Sequence, residues 1–254
     1  MVAIMLALVG LLVSAHVDCA QASRSASNRG VAFHQQQHRH QHGELATAWV
    51  LPSLFGATQQ SGTKATVAKQ ELLEAIAPLK RGLVASPEDI EVVEKLAQKL
   101  EKINPNPKSL SSPLINGRWE LLYTTSESIL GKNQPPFLRP SGPIYQASTM
   151  MLPARASSDI DAPGLRAFNS QYVEPLPFLK LPNSVSAALT PTSASAVDVQ
   201  FVEFRFGPLK FKAPESAKGA LDTTYVDDEV RVSRGDKGNL FVLTRAVGME
   251  TGFA

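Results

Sequence analysis

Beyond residue 42 the chain contains neither histidine nor cysteine. All five histidines and the single cysteine fall in the N-terminal segment, at His16, Cys19, His34, His38, His40 and His42. A folded domain that begins near residue 60 therefore lacks an imidazole base, a thiolate nucleophile, and nitrogen or sulfur metal ligands. Carboxylate, lysine and tyrosine chemistry remains open. We nevertheless expect a protein that is not an enzyme and that carries no cofactor and no metal.

The sequence after Lys64 also lacks a net charge. The chain has 25 Lys and Arg residues against 23 Asp and Glu residues, and residues 1–64 hold four of the former and two of the latter. Subtraction leaves 21 of each, so the isoelectric point near 8.6 reflects the N-terminal segment. A balanced domain lacks the basic footprint of a nucleic-acid-binding protein, and we expect no nucleic-acid partner.

No apolar run after the first 22 residues has the length of a membrane span. Residues 2–15 form an apolar stretch of signal-peptide length, and a small-x-small cleavage site precedes Ser23. Residues 23–64 are rich in Ser and Arg and poor in acids, as in organellar transit peptides, and we interpret their Gln/His tract at 34–42 as a linker. This order predicts bipartite targeting to a plastid surrounded by extra membranes. A single plastid or secretory presequence is the alternative.

Three short strands joined by two tight turns are predicted near the C-terminus. The strands cover Leu221–Val226, Glu229–Ser233 and Leu240–Arg245, and they are rich in Val, Thr, Tyr, Phe and Leu. The turns at 227–228 and 235–239 carry Asp, Gly and Asn, which accept positive φ or bond to their own backbone. Consecutive antiparallel strands form a meander, which is the unit of an up-and-down barrel.

Two further segments alternate as strands do. In Gly117–Thr125, a period of two places Trp119, Leu121 and Tyr123 on one face. In Val197–Phe206, the same period predicts Val202, Phe204 and Phe206 on one face and Phe201, Glu203 and Arg205 on the other. Between these segments, residues 150–164 and 175–196 are rich in Pro, Ser and Ala, which indicates long loops and short strands.

Two helices are predicted ahead of the strands. The first covers Thr66–Ala77, with Pro78 interrupting its end. The second begins at Ser86, which is followed by Pro at the first helical position and an acid at the third, and it runs to about Ile103. Its apolar residues form one stripe that we expect to pack on the barrel: Ile90, Val93, Leu96, Leu100 and Ile103.

Several blocks of the sequence resemble the plastid lipid-associated protein (fibrillin) family of photosynthetic eukaryotes. In chain order they are Glu71–Ile76 with Leu79–Gly82, Leu114–Thr125, Phe137–Arg139, Gly142–Gln146 and Tyr225–Leu243. The resemblance covers about residues 67–245. It implies a lipocalin-like fold, association with thylakoids or plastoglobules, and binding of prenyl-lipids or similar apolar molecules.

The middle of the chain departs from the family pattern. Residues 150–164 look like an insertion, and Phe168–Val173 stands where the family has a Trp-containing strand. Ligand contacts of that region are therefore not transferred to this chain. The resulting organisation is a signal-like segment at 1–22, a transit-like leader at 23–64, a family domain at 65–246 and a tail at 247–254.

The candidate site residues are aromatic and basic. A Gly-x-Trp sequence on the first strand is shared with lipocalins, so Trp119 is expected to plug the barrel floor, with Arg231 or Arg234 covering its ring unless both are solvated turn charges. Asp227, Asp228 and Glu229 are interpreted as turn residues and not as a metal site. The candidates for lining a lipid cavity, for which core packing is the alternative, are Trp119, Tyr123, Phe204, Phe206, Phe211 and Tyr225.

Together these features predict a mainly β protein with some helix, a lipocalin-like antiparallel barrel preceded by a helical pair. Its expected function is to bind or coat apolar lipids (prenyl-lipid, quinone, carotenoid or acyl lipid) at thylakoids or plastoglobules of a plastid. The alternative is a non-catalytic adaptor or scaffold for a plastid enzyme of prenyl-lipid biosynthesis. The expected partners are accordingly an apolar lipid or isoprenoid ligand, a thylakoid or plastoglobule surface, and a plastid enzyme.

Overall fold

A computed structural model of the chain describes residues 56–149 and 165–246. The targeting predictions for residues 1–22 and for nearly all of 23–64 lie outside the described residues. So do those for the 150–164 insertion and the 247–254 tail. All the described residues from Ser61 onward belong to one compact unit, Ser61–Ala254.

Two helices precede the strands, as predicted. α1 covers Gly56–Ile76, beginning ten residues earlier than expected, and a 3-10 turn at Ala77–Leu79 follows it. α2 covers Pro87–Glu101 and begins with the predicted capping box, in which the Ser86 hydroxyl accepts from the Asp89 amide and the Asp89 carboxylate accepts from the Ser86 amide. Within residues 56–149 and 165–246, no helix is long and apolar enough to cross a membrane.

Nine antiparallel strands in the described residues make up a single sheet. Their bounds are β1 Gly117–Thr124, β2 Pro140–Thr149, β3 Leu165–Leu176, β4 Leu179–Pro191, β5 Ala196–Phe206, β6 Leu209–Lys212, β7 Lys218–Val226, β8 Val230–Gly235 and β9 Leu240–Arg245. The strand order is β4-β3-β2-β1-β9-β8-β7-β5, and pairing of β4 with β5 closes the ring. β6 pairs antiparallel with the C-terminal end of β5, on the same edge of β5 that pairs with β7 nearer its start. A short helix, α3 (Glu127–Leu130), lies between β1 and β2. Three 3-10 turns cover Ser109–Ser111, Pro113–Ile115 and Pro136–Leu138. The predicted closed antiparallel barrel is confirmed.

The prediction of long loops after residue 175 is wrong. β3 and β4 are the two longest strands, and they pair along most of their length as a hairpin with a two-residue turn at 177–178. Most of their residues are half-buried on both faces. A strand that is half-buried on both faces does not show clear polar and apolar alternation, so its sequence does not reveal it.

A β-bulge in β1 changes the predicted assignment of its faces. Leu121 pairs with Leu243 of β9, but Tyr123 pairs with Val242. Leu122 is therefore an extra residue in β1. Val242 and Leu243 are neighbours in sequence, and successive residues of a strand point to opposite sides of a sheet. The Tyr123 side chain therefore points to the opposite side of the sheet from Trp119 and Leu121. The prediction from a strict period of two, which put all three on one face, is wrong at Tyr123.

A second bulge has the same effect in β5. Ser186 of β4 pairs with Glu203, but Ala187 pairs with Phe201, so Val202 is the extra residue. Phe201 therefore lies on the same face as Phe204, and their rings stack with centroids 6.0 Å apart. The prediction that these two phenylalanines face opposite sides is wrong, because a strict period of two does not allow for the inserted residue.

The barrel wall separates two apolar clusters. On the outside, side chains of α1 and α2 pack against Tyr123, Tyr225, Val232 and Val242, which buries the helices on the wall formed by β1, β9, β8 and β7. On the inside, a second cluster contains Trp119, Leu121, Ile144, Val226, Phe241 and Leu243. Of the predicted stripe of α2, Val93 and Leu100 are buried and Leu96 is half-buried, whereas Ile90 and Ile103 are exposed; Ala97 is buried beside them.

Candidate functional site

Trp119 lies in the inner apolar cluster near the start of β1, in the region that the sequence predicts as the barrel floor. Its side chain is completely buried, and its indole N–H donates to the carbonyl oxygen of Ile115 at 3.2 Å. The guanidinium carbon of Arg245 lies 4.1 Å from the centre of the ring, and that of Arg231 lies 5.3 Å from it. Both cations are within the range of a cation–π contact, so the ring is held by a hydrogen bond and by two positive charges.

Arg245 ties this floor to the surrounding loops. Its guanidinium donates to the carbonyl oxygens of Leu114, Asn116 and Asp228 at 2.6, 2.8 and 3.0 Å. A side chain at position 117 would put a Cβ 2.8 Å from Arg245 Nη1, and Gly117 also has a φ of 113°. The positive φ therefore favours glycine in the Gly-x-Trp sequence, and any side chain there would also displace the Arg245 guanidinium.

Arg245 is not among the residues predicted from the sequence. It is the last residue of β9 and pairs directly with Trp119, but this register follows from the position of the bulge in β1. The Leu114–Thr125 block contains the tryptophan and gives no indication of its partner on another strand. The sequence signal that could have found Arg245 is its place as the final basic residue of the third strand of the meander.

Arg231 lies one step further into the barrel than Arg245. It pairs with Leu243 and is almost completely buried, and one of its terminal nitrogens donates to the side-chain oxygen of Gln146. Its Nε has no hydrogen-bond partner among the described residues. Burial, and after it the positive charge of Arg245, lowers the pKa of Arg231 to about 9. The guanidinium therefore stays charged at neutral pH beside the Trp119 ring.

Arg234 is not part of this floor. It points to the outside of the barrel, where its guanidinium binds the carboxylates of Glu94 and Glu101 on α2. Hydrogen bonding to Glu101, the largest effect, raises the pKa of Arg234 above its ordinary value. Of the two arginines expected to cover Trp119, Arg231 therefore lies over the ring and Arg234 does not.

Tyr123 and Tyr225 also lie outside the barrel, in the cluster that contacts the helices. The Tyr225 hydroxyl donates to Asp227 at 2.6 Å, and Lys69 of α1 donates to the same carboxylate oxygen at 2.9 Å. The Tyr123 hydroxyl is buried, and no hydrogen-bond partner is present in the part of the chain that the structure describes. These positions place both tyrosines at the helix–barrel contact and away from the interior.

The phenylalanine candidates form a different wall. Phe204 pairs with Val185 on β4 and with Phe211 on β6, and Phe206 pairs with Leu209. Phe204 belongs to a third apolar cluster together with Ala213, Ala217, Val185, Phe201 and Phe211. Pairing of Val197 with Leu221, which packs against the Trp119 cluster, places this face of β5 toward the interior.

Unlike the floor, this wall is not closely packed. The inward-facing residues Asn169, Val185, Val199, Phe201 and Phe206 are only half-buried, although each lies within a barrel strand. The amide side chains on the inward face of this wall are those of Asn169, Gln171 and Asn183, and Gln146 of β2 pairs with Asn169, while the other inward-facing residues of β3, β4 and β5 are apolar. An apolar wall with few polar groups suits a water-insoluble chain. No group of three or more His, Cys, Asp or Glu side chains that could hold a metal occurs in residues 56–149 and 165–246.

A closed antiparallel barrel with an apolar inner wall defines a lipocalin-like barrel protein. The sequence model of the PAP_fibrillin family matches residues 66–244, which include both helices' buried faces and all nine strands up to Thr244. The chain belongs to this family.

Three similar proteins are chloroplastic by name. The chain is 42% identical over 177 residues to the probable plastid-lipid-associated protein 5, chloroplastic, of Arabidopsis thaliana, covering 69% of this chain and 68% of that one. It is 30% identical over 176 residues to the probable plastid-lipid-associated protein 8, chloroplastic, of the same plant, covering 68% and 70%. It is 28% identical over 229 residues to plastoglobulin-1, chloroplastic, of Pisum sativum, covering 70% and 60%. No solved structure matches the chain.

Proposed function

We propose that the protein binds an apolar lipid of the plastid inside its barrel, against the wall formed by β3, β4 and β5. The observation that carries the proposal is the contrast between the two parts of the interior. Trp119 is completely buried against Arg231 and Arg245, whereas Val185, Phe201 and Phe206 remain half-buried on the opposite wall. When an apolar ligand covers incompletely buried apolar side chains inside a barrel, it removes their surface from water, and this lowers the free energy of the complex.

The chemistry of the wall limits the class of ligand. The inward side chains are aliphatic, aromatic or amide, and a prenyl chain, a quinone, a carotenoid or an acyl chain would match them. The relatives' names place those proteins in chloroplasts and associate them with plastid lipids. By family membership we propose a plastid location for this chain as well, at thylakoids or plastoglobules.

The proposal can be tested by ligand capture. Residues 56–254, which contain the compact unit and every described helix and strand, would be incubated with a thylakoid lipid extract, repurified and extracted for mass spectrometry. We expect enrichment of one class of apolar molecule over incubations without protein. The same chain unfolded in urea is the control, because it keeps the composition and loses the interior. Equal recovery from folded and unfolded chain would contradict binding in the barrel.

The alternative function is that of a non-catalytic adaptor for a plastid enzyme of prenyl-lipid biosynthesis. The observation that favours it is the closely packed half of the interior, where Trp119, Leu121 and Leu243 are completely or almost completely buried. Recovery of such an enzyme with the chain from a lipid-free extract would support the adaptor. Recovery of the enzyme only when lipid is present would contradict the adaptor function.

A further inference from the structure

A group of large apolar side chains projects into solvent at the end of the barrel opposite Trp119. Phe178 is 100% exposed and Leu176 is 61% exposed, both at the turn between β3 and β4. Exposed apolar residues that are scattered singly need no explanation, but a contiguous group marks an interaction site. We call this group the apolar rim; its members are Phe137, Tyr172, Leu176, Phe178, Leu179 and Leu209.

Backbone contacts bring the members of the apolar rim together. The amide of Gly207, in the turn between β5 and β6, donates to the carbonyl oxygen of Pro182 on β4 at 2.7 Å. On the other side, Pro140 pairs with Val173 at the start of β2, which brings the turn containing Phe137 beside β3. The rim therefore lies along the β2–β6 side of the end of the barrel at which the half-buried inner wall finishes.

The turn itself does not favour phenylalanine. Phe178 has a φ of 70°, in the left-handed region where Gly or Asn is the usual residue. Its ring contributes nothing to packing, because the whole side chain is accessible to solvent. Neither the backbone nor the core thus accounts for an aromatic residue at the tip of this hairpin.

The charges beside the apolar rim are mainly positive. Lys180 and Lys210 are exposed and alternate with the rim residues on β4 and β6, and neither forms a salt bridge within residues 56–149 and 165–246. Glu174 is the acid of the β3–β4 turn, and its carboxylate accepts from the Phe178 amide. Further along these strands, Glu203 is bound by Arg205 and lies opposite Lys212. Apolar tips flanked by unpaired lysines complement a lipid layer that carries negative charge.

We propose that the apolar rim docks the barrel on an anionic lipid surface, with Phe178 and Leu176 entering the acyl layer and Lys180 and Lys210 contacting acidic headgroups. This inference rests on the proposed lipid function, but it concerns a different part of the molecule from the inner wall. In this orientation the end of the barrel at which the half-buried inner wall finishes faces the lipid. An apolar ligand can then move between the lipid layer and the inner wall without crossing water.

Flotation with vesicles tests the docking site separately from ligand capture. Residues 56–254 would be mixed with phosphatidylcholine vesicles that either contain or lack phosphatidylglycerol, and the bound fraction measured. We expect Phe178→Gly to weaken binding about tenfold or more, given the apolar area that it removes. Glycine relieves the left-handed backbone, so this variant keeps or gains thermal stability and its loss of binding cannot result from unfolding. Val92→Ser on α2, which removes a 50% exposed apolar side chain elsewhere, is the matched control.

The lysines give a second measurement. The double variant Lys180→Gln/Lys210→Gln should lose the preference for phosphatidylglycerol vesicles and keep the weaker binding to phosphatidylcholine alone. Equal flotation of wild type and Phe178→Gly would overturn the proposal. The proposal would also be overturned if the wild type formed a dimer in solution and Phe178→Gly converted it to a monomer. In that case a second copy of the chain, and not a lipid layer, would cover the apolar rim. Ligand capture by a chain that does not float would overturn the docking site and leave the proposed lipid binding in place.

Discussion

Arg234 of β8 and Glu101 of α2 join the barrel to its helices by two parallel hydrogen bonds. Arg234 Nε lies 2.7 Å from Glu101 Oε1, and Nη2 lies 3.0 Å from Oε2. Glu94, two turns earlier on the helix, lies 2.8 Å from the same guanidinium. Two-pronged binding of this kind fixes the orientation of the partners as well as their distance.

We expect this pair to contribute measurably to stability. A double-mutant cycle with Arg234→Gln and Glu101→Gln should give a coupling free energy of about 1–3 kcal/mol in urea unfolding, because both groups are largely shielded from water. Arg234→Lys should lose part of it, since an ammonium cannot bind both carboxylate oxygens in the same plane. Lys95 and Glu91, an exposed pair on α2, are the control, for which we expect almost no coupling. A coupling no larger than that of the control would contradict a structural role.

The positions of Tyr123 and Phe201 show what the sequence could and could not predict. Turn residues, alternation and a helix start predicted the meander, β1 and α2, because each of these signals is local. The face on which a side chain lies depends on bulges at Leu122 and Val202, and an extra residue leaves no local signal. The pairing of Trp119 with Arg245 depends on the same register.

Trp119 provides the next prediction. Trp119→Ala should destabilise the domain by about 3–5 kcal/mol, as expected for the loss of a large buried aromatic side chain. Trp119→Phe should cost less, because it keeps most of the volume and loses the indole hydrogen bond to Ile115. Glu120→Ala, at the next position and half-buried on the opposite face, should be nearly neutral. Urea unfolding of the three variants measures the difference, and equal losses for Trp119→Ala and Glu120→Ala would contradict the assignment of the faces.

Gly82 presses against the end of β1. It has a φ of 98°, and a Cβ at this position would lie 2.3 Å from the carbonyl oxygen of Thr124. Gly82→Ala should therefore destabilise the domain by about 2–4 kcal/mol in urea unfolding, through backbone strain together with a clash that the strand cannot relieve. Gly142→Ala separates the two effects, because Gly142 has a φ of 81° and no atom near its Cβ position. We expect Gly142→Ala to lower the free energy of unfolding by about 1 kcal/mol. Equal losses for Gly82→Ala and Gly142→Ala would show that the clash with Thr124 is absent.

Asp227 should make the stability of the domain depend on acid pH. Burial alone would raise its pKa, but hydrogen bonds from Tyr225, Lys69 and the amides of Val230 and Glu229 outweigh it and lower the pKa below its ordinary value. A carboxylate with a lowered folded-state pKa adds stability above its unfolded pKa of about 4, and this is lost as the pH falls through the folded value. Asp227→Asn should flatten that part of the pH profile of urea unfolding. An unchanged slope below about pH 4 would contradict the assignment.

The inner wall gives the last prediction, in which two adjacent positions on β4 act as each other's control. Val185 pairs with Phe204 and faces the interior, whereas Ser184 pairs with Arg205 and faces outward, and both are half-buried. Val185→Trp should fill the space beside the wall and reduce uptake of a fluorescent fatty acid, because the indole takes the place of the ligand. Ser184→Trp adds a larger side chain to the same strand and should leave uptake unchanged. Thermal melts of both variants show whether the barrel stays folded. Reduced uptake by Ser184→Trp with normal uptake by Val185→Trp would mean that the ligand lies outside the barrel, and it would contradict the proposed function.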